Sequence, residues 1–231
     1  MLTSLLKNRS FWLLLLIGAA VGLITRVVLT STQSFNFVAA GGYWLMLALV
    51  ILLGRAITRA GGWRWLRDHF TRFDVYVLVL IMVCTSAWWA HEKPGFKILS
   101  DEVLLLGTSM GLHLERSATY PSRASDVQGP LQIIDRVLDK RPLLFPFLVA
   151  TVHDLTGYRP ENAFYFNRGL GIVFLILVYL LGWQMGGSRW AGVFGVLLFA
   201  GLPLVAQQSA GSGFELLNLT VVVALGLAML A

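Results

Sequence analysis

The chain has 231 residues, of which 57% are hydrophobic and only 13% are charged. Soluble proteins are about 45–50% apolar and about 25% charged, so this composition excludes an ordinary water-soluble domain. The single cysteine, Cys84, excludes a disulfide framework and a cysteine-based metal site. The net charge of +6 fits either nucleic-acid binding or membrane topology, and the positions of the charges decide between the two.

Six apolar stretches approach the length of about 20 residues that a helix needs to cross a bilayer. In chain order they are residues 11–30, 37–57, 75–90, 164–183, 191–206 and 216–231. A helix satisfies its own backbone hydrogen bonds, which lipid requires. The sequence therefore predicts an all-α, polytopic membrane bundle of about six transmembrane helices, with a long outer loop that holds short surface helices.

The basic residues predict the orientation of this bundle. The loop at residues 31–36 has no charge. The loop between the second and third stretches, in contrast, carries five arginines: Arg55, Arg59, Arg64, Arg67 and Arg72. Basic loops stay in the cytoplasm, so we expect a cytoplasmic N-terminus and an outer loop at residues 92–163. The positive charge is then a topology and lipid-contact signal, and we expect no nucleic-acid partner.

Three segments follow from this topology. Residues 1–91 hold three spans and the basic loop, residues 92–163 form the outer loop, and residues 164–231 hold further spans. The last apolar run ends at residue 231 without a polar flank. We therefore expect the sequence to be the N-terminal part of a longer protein, or to carry a misannotated stop.

Nine of the twelve carboxylates lie between Glu92 and Glu161, in the predicted outer loop. Two of them, Asp101 and Glu102, follow Ser100 at the head of a helical pattern. One reading is structural, with Ser100 as the N-cap and acids favoured by the helix dipole. The other is functional, with Asp101 as a general base or a ligand of a divalent cation at the membrane surface.

The second acidic cluster lies at residues 131–142. Leu131, Ile134 and Leu138 recur at helical spacing, which predicts an amphipathic helix with Asp135 and Asp139 on one face. A solvated helix is one reading of this pattern. The other is an acid beside two cations that face a phosphate and its metal, because Lys140 and Arg141 both supply charged donors. The acid is Asp139, and the two cations are Lys140 and Arg141.

Three further features are weaker. Residues 143–155 are apolar but too short to cross comfortably, so we expect them to lie along the outer surface, with His153 and Asp154 as structural residues or metal ligands. Glu215 is the only acid after Glu161 and is predicted at the outer end of the sixth span, where an ionisable group suggests a site. Pro203 is expected to kink the fifth span.

The order of these motifs resembles the GT-C superfamily, the polytopic glycosyltransferases that use polyprenyl-phosphate sugars. The closest likeness is to the protein O-mannosyltransferase and aminoarabinose-transferase branch of bacterial membrane enzymes. About half of the chain carries the resemblance, in five pieces: Asp101-Glu102, residues 139–146, residues 157–160, Asn167-Arg168, and Pro203 followed by Gly213-Phe214-Glu215.

The resemblance implies a role for each matching residue. Asp101 would activate the acceptor hydroxyl beside its usual neighbour Glu102. Asp139, together with Asp101, would hold a divalent metal (Mg, Mn or Zn). Lys140 would meet the carrier phosphate, with Arg141 beside it. Glu215 and His153 are secondary candidates. The sequence departs from the family pattern in having Asp in place of Glu at 139 and Arg141 in place of the first Pro.

The resemblance also implies partners and a location. The donor would be a polyprenyl-phosphate sugar, the acceptor a lipid, glycan or protein, and the location the bacterial inner membrane with the active site on the periplasmic face. The competing class is a transporter or a non-catalytic membrane protein, which would carry charges along a pathway inside its spans. Only Arg26, Arg168 and Glu215 are candidates for that, and all lie near span ends.

Overall fold

The computed structural model of the chain describes residues 16, 18–20, 22–23, 30–59, 67–125 and 132–230. Their elements, in chain order, are α1 Ser31–Arg59, α2 Arg72–His91, α3 Leu99–Glu115, β1 Thr119–Ser125, β2 Gln132–Leu138, α4 Leu144–Thr156, α5 Asn162–Gly186, α6 Arg189–Ala200, α7 Pro203–Ala210 and α8 Glu215–Leu230. The helical fold that the sequence predicts is confirmed, and the antiparallel pair β1–β2 is an addition to it.

Three described helices, α1, α2 and α5, are long and apolar enough to cross a membrane. Helices α6 and α7 pass the same test only as a pair, and the pair bends by 70°. Pro203 begins α7, so the predicted break in this stretch is confirmed. Proline has no N–H to donate to the preceding turn and cannot continue the ladder of α6.

The count of about six spans is not confirmed. The first predicted span, residues 11–30, lies mostly outside the described residues, as does Arg26. Helix α8 has 16 residues, which is short of a full crossing, and α4 has 13. The described residues therefore support a membrane-embedded helical protein with three candidate spans, or four if the bent pair counts as one.

One main hydrophobic core is shared by helices α2 to α8. Phe174 and Leu175 of α5 are fully buried at its centre. A smaller cluster joins α1 to the end of α3 and to α4 through Tyr43, Leu112 and Phe147. Residues from all three sequence segments thus pack together, and α3 packs against both α4 and β1.

Two glycines permit backbone contacts that any side chain would block. A Cβ on Gly111 would lie 2.2 Å from the carbonyl oxygen of Thr119, and a Cβ on Gly192 would lie 2.5 Å from the carbonyl oxygen of Tyr179. The first contact holds the start of β1 against α3. The second brings α5 and α6 together at backbone distance.

Asp74 joins three helices at the Arg72 end of α2. Its Oδ2 accepts hydrogen bonds of 2.7 Å from both the backbone N and the hydroxyl of Thr71, which caps the helix. Its Oδ1 accepts a bond of 2.5 Å from the Tyr179 hydroxyl and one of 3.3 Å from Arg189 Nε. The carboxylate is 5% exposed, and its four donors balance the cost of burying it.

Candidate functional site

The predicted site residues gather where α3 begins and where β2 ends. Helix α3 begins at Leu99 and its N-cap is Ile98, so the prediction of Ser100 as the N-cap is wrong. Glu102 reaches back to the backbone N–H groups of Lys97 and Ile98, just before the helix. With Ile98 as the N-cap, the helix starts two residues earlier than a cap at Ser100 would place it.

Glu102 is a buried carboxylate that binds only backbone N–H groups. Its Oε2 accepts from the backbone N of Lys97 and, at 3.0 Å, from that of Ile98. Its Oε1 accepts from the backbone N of Ser212 at 2.7 Å. Glu102 is 3% exposed, so it fixes the start of α3 against the loop between α7 and α8.

The adjacent Asp101 points to a different environment. Its side chain is 44% exposed, and its Oδ1 accepts a hydrogen bond from Nη2 of Arg141. The Ser100 hydroxyl lies 3.5 Å from the same oxygen. Of the two neighbouring acids, Asp101 is the one that a substrate can reach.

The amphipathic helix predicted in the cluster at residues 131–142 is wrong, because residues 132–138 form strand β2. β2 pairs with β1 in an antiparallel register that sets Arg123 opposite Asp135. Those two side chains form an exposed ion pair of 3.2 Å. Asp135 and Asp139 therefore do not share a helix face: Asp135 stays on the hairpin surface and Asp139 lies beyond the end of the strand.

Asp139 and Arg141 form a buried pair in the turn after β2. Asp139 Oδ1 accepts from the backbone N of Arg141 at 3.1 Å and from its Nη1 at 2.8 Å. The Asp139 side chain is 2% exposed and that of Arg141 is 11% exposed. Asp139 Oδ2 is buried and has no donor among the described residues.

Arg141 thus bridges Asp139 and Asp101, which are far apart in the sequence. Burial alone would lower the pKa of Arg141, but hydrogen bonds and charges from Asp139 and Asp101 outweigh it and raise the pKa above its ordinary value. Arg141 therefore remains a fixed positive charge. The predicted neighbour Lys140 is exposed and has no ion pair among the described residues.

The loop between α7 and α8 completes the surroundings of Glu102. Asn167 of α5 is fully buried and its amide donates to the carbonyl oxygens of Gly211, at 2.9 Å, and Gly213, at 2.8 Å. Glu215 follows at the start of α8, half-buried and without a hydrogen bond among the described residues. Four of the five sequence pieces that carry the resemblance meet in this group, through the contacts of Asp101 with Arg141, of Glu102 with Ser212 and of Asn167 with Gly213. Residues 157–160 are the piece that does not take part in these contacts.

His153 lies away from this group, near the other end of α3. It is fully buried; Asn162 donates to its Nδ1 at 2.9 Å, and its Nε2 lies 3.4 Å from the Ser109 hydroxyl. Burial lowers the pKa of His153 to about 4, the nearby His113 adds to this effect, and Asp154 opposes it. A neutral ring with its hydrogen on Nε2 satisfies both partners, which indicates a structural role.

The sequence reasoning missed an ion-pair cluster around Asp154. Arg116 binds both of its carboxylate oxygens, at 3.0 and 2.7 Å, and His113 Nδ1 lies 2.6 Å from Oδ1. Burial raises the pKa of Asp154, but hydrogen bonds from Arg116 and His113 outweigh it and lower the pKa. Tyr43 of α1 also donates to Asp154, at 3.3 Å. No local pattern reveals this cluster, since its partners lie on α1, α3 and α4.

Acid is expected to destabilise the protein through His153. In the unfolded chain, His153 binds a proton below its ordinary pKa of 6.5, whereas in the folded chain it does so only below its lowered pKa of about 4. The unfolded state holds more protons between these values, so the free energy of unfolding falls by about 2–3 kcal/mol from pH 7 to pH 4.5. Thermal unfolding in detergent across that range measures the loss.

The variant H153Q should flatten this pH dependence, because it removes the titrating group. H91Q is the matched control, since His91 is exposed at the end of α2 and its replacement should leave the wild-type slope in place. The same slope in H153Q as in the wild type would contradict the assignment. The lowered pKa of Asp154 affects stability only as the pH falls to its ordinary pKa of 3.8 and below, which is outside the tested pH range.

The residues predicted to hold a divalent metal, Asp101 and Asp139, do not fit one as they are arranged. Both carboxylates bind the guanidinium of Arg141, which places a positive charge where the ion would lie. No group of three or more His, Cys, Asp or Glu residues in the described part of the chain is arranged to hold a metal ion. Hard cations need several oxygen ligands free of competing donors.

Arg168, near the start of the fourth predicted span, has a contact within the bundle. Its guanidinium lies 5.6 Å from the ring centroid of Trp89, at the far end of α2 from Asp74.

The comparisons with known proteins identify no relative: no family model, no curated protein and no solved structure matches this chain.

Proposed function

We propose that the protein is an integral membrane glycosyltransferase that moves a sugar from a polyprenyl-phosphate donor to an acceptor hydroxyl. The observation that carries the proposal is the meeting of half-exposed Asp101 with Arg141, beside exposed Lys140, next to the end of an apolar helix. A reachable carboxylate and two cations are what hydroxyl activation and a phosphate leaving group require.

The proposed reaction divides these groups into two tasks. Asp101 takes the proton of the acceptor hydroxyl as its oxygen attacks the anomeric carbon of the sugar. The bond between that carbon and the phosphate oxygen breaks, and the polyprenyl phosphate leaves with the electron pair. Lys140 and Arg141 stabilise the charge that develops on the leaving phosphate.

The position of Asp101 along the chain suits a lipid-linked donor. Helix α2 ends at His91 and α3 begins at Leu99, so Asp101 follows a candidate span by ten residues. A polyprenyl chain keeps its phosphate at the membrane surface, where such a residue lies. We further propose that this surface is the periplasmic face of a bacterial inner membrane, as the basic loop predicts, and that the acceptor is a lipid, glycan or protein.

The one acid inside the described candidate spans, Asp74, favours an enzyme over a transporter. A transport pathway requires ionisable groups that a substrate can reach within the membrane. Asp74 of α2 instead binds Thr71, Tyr179 and Arg189 and is 5% exposed. Its four bonds hold helices together and leave no free carboxylate oxygen for a substrate.

Transfer of a labelled sugar in membranes that contain the full-length protein tests the proposal, together with mass spectrometry of copurified lipids. We expect polyprenyl phosphate among those lipids. The variant K140Q should raise the donor KM about 10-fold or more, because a charged hydrogen bond to phosphate contributes about 1.5–3 kcal/mol. K93Q is the control, since Lys93 is also an exposed lysine but lies before α3.

Two results would contradict the proposal. One is the absence of sugar transfer and of any copurified polyprenyl phosphate from a folded protein. The other is an equal change in donor KM for K140Q and K93Q, which would assign the effect to general surface charge.

A further inference from the structure

Arg141 occupies the centre of the candidate site, between its two acids. Nη2 donates to Asp101 Oδ1, and Nη1 donates to Asp139 Oδ1 at 2.8 Å. The first acid begins α3 and the second follows β2, so one guanidinium connects the helix to the hairpin. A planar guanidinium suits this task, because its N–H groups diverge at fixed angles.

The pairing is built into the fold and does not depend on a flexible surface arginine. The backbone N of Arg141 also donates to Asp139 Oδ1, at 3.1 Å, so the same carboxylate holds both ends of the residue. The Arg141 side chain is 11% exposed. A lysine at 141 would supply one point charge and could not bridge two carboxylates in the same planar geometry.

The guanidinium still has hydrogens for a ligand. It carries five N–H groups, and the two carboxylates use one on each terminal nitrogen. The other three N–H groups have no acceptor among the described residues, so an oxyanion could accept from them. Exposed Lys140 is the adjacent residue and adds a second positive charge to the same turn.

We propose that Arg141 takes the place of a divalent metal ion, so that the carrier phosphate is bound by a guanidinium held between Asp101 and Asp139. This inference rests on the proposed transfer of a sugar from a lipid phosphate. It makes the site independent of metal, and it gives Arg141 two functions: orienting Asp101 and neutralising the phosphate. Removal of Arg141 frees both carboxylates, which then form a pair that attracts a divalent cation.

Binding of Mn²⁺ alone to the purified full-length protein tests this without any assay of transfer. The paramagnetic signal of free Mn²⁺ measures binding, and thermal unfolding with and without Mn²⁺ is a second readout. We expect no binding by the wild type at about 100 µM Mn²⁺, a concentration that would saturate a typical carboxylate site of micromolar affinity. R141Q should bind Mn²⁺ at least about 10-fold more tightly, since it removes the competing charge.

The double variant D139N/R141Q is the matched control, because it lacks one of the two carboxylates and should not gain the Mn²⁺ site. Wild-type binding at 100 µM that D101N removes would overturn the inference. A folded R141Q that binds no more Mn²⁺ than the wild type would also overturn it. If R141Q does not fold, the wild-type titration and its D101N counterpart still decide the question.

Chelation separates this inference from the proposed function. Transfer by the wild type should change less than about twofold after treatment with EDTA, since no step uses a metal. Transfer that EDTA abolishes and Mn²⁺ restores would support a glycosyltransferase and overturn the role of Arg141. No transfer under either condition would count against the glycosyltransferase, while the Mn²⁺ titrations would still test Arg141.

Discussion

Replacement of Asp101 by Asn is expected to abolish sugar transfer while the protein stays folded. The amide is nearly the same size as the carboxylate but cannot accept the proton of an acceptor hydroxyl. General-base catalysis contributes about 10²–10⁴ in rate, so we expect transfer to fall at least about 100-fold. The oxygen of the new amide can still accept from Arg141, which preserves the local geometry.

The stability of D101N distinguishes a loss of chemistry from a loss of structure. The Asp101 side chain is 44% exposed and Arg141 keeps its ion pair with Asp139, so we expect D101N to cost about 1 kcal/mol or less. Thermal unfolding should therefore shift by only about 2–4 °C. Initial rates of sugar transfer in membranes with equal amounts of each protein give the activity.

D135N is the matched control for D101N. Asp135 belongs to the same polar segment, residues 92–163, and pairs with an arginine, but it lies on the exposed surface of the hairpin. We expect transfer by D135N to equal that of the wild type. Normal transfer by D101N would exclude Asp101 as the base and, with it, the assignment of the site.

The sequence predicts the helices that have strong hydropathy, and it directs attention to polar segments that the fold brings together at the candidate site. Helices α1, α2 and α5 coincide with predicted spans because each holds a long apolar run, a local property that needs no knowledge of the rest of the chain. Asp101 and Arg141 were assigned to one region from the order of motifs. Their direct hydrogen bond was not predicted, because a contact across 40 residues depends on tertiary packing.

The hairpin shows why the rest could not be predicted locally. Leu131, Ile134 and Leu138 have helical spacing, but Ile133 and Val137 are β-branched and suit a strand equally well. Residues 132–138 form a strand because they pair with residues 119–125, which supply the other half of the hydrogen-bond ladder. Short apolar patterns of this kind are ambiguous until their partner is known.

The roles of the two neighbouring acids were also beyond local reasoning. An Asp-Glu pair at the head of a helix suits a cap, a base or a cation ligand. Burial separates these possibilities: Asp101 is half-exposed and Glu102 is 3% exposed. The loop at Ser212 that binds Glu102 comes 110 residues later in the chain, so its approach is a property of the whole fold.

Replacement of Glu102 by Gln is expected to lower stability as well as transfer, in contrast to D101N. The carboxylate accepts from backbone N–H groups at both oxygens, from Lys97 and Ile98 on one side and from Ser212 on the other. A glutamine has one acceptor oxygen, so its NH₂ group must face at least one backbone donor. A buried donor left unpaired costs about 1–3 kcal/mol, and more where a charge had bound it.

We expect the melting temperature of E102Q to fall by about 6–12 °C, which corresponds to about 3 kcal/mol in a protein of this size. E92Q is the matched control, because Glu92 forms a partly exposed pair with the Lys97 ammonium and its loss should cost about 1 kcal/mol or less. Amide hydrogen exchange gives a local readout. The N–H groups of Ile98 and Ser212 should exchange faster in E102Q and remain protected in D101N.

These measurements distinguish a positioning role of Glu102 from a catalytic role. If it positions α3 and the loop at Ser212, the losses of transfer, melting temperature and protection occur together. If Glu102 were itself the base, E102Q would abolish transfer while exchange at Ile98 and Ser212 stayed slow. The three backbone bonds favour the first outcome, because they engage both oxygens of a residue that is 3% exposed and that an acceptor hydroxyl therefore cannot reach.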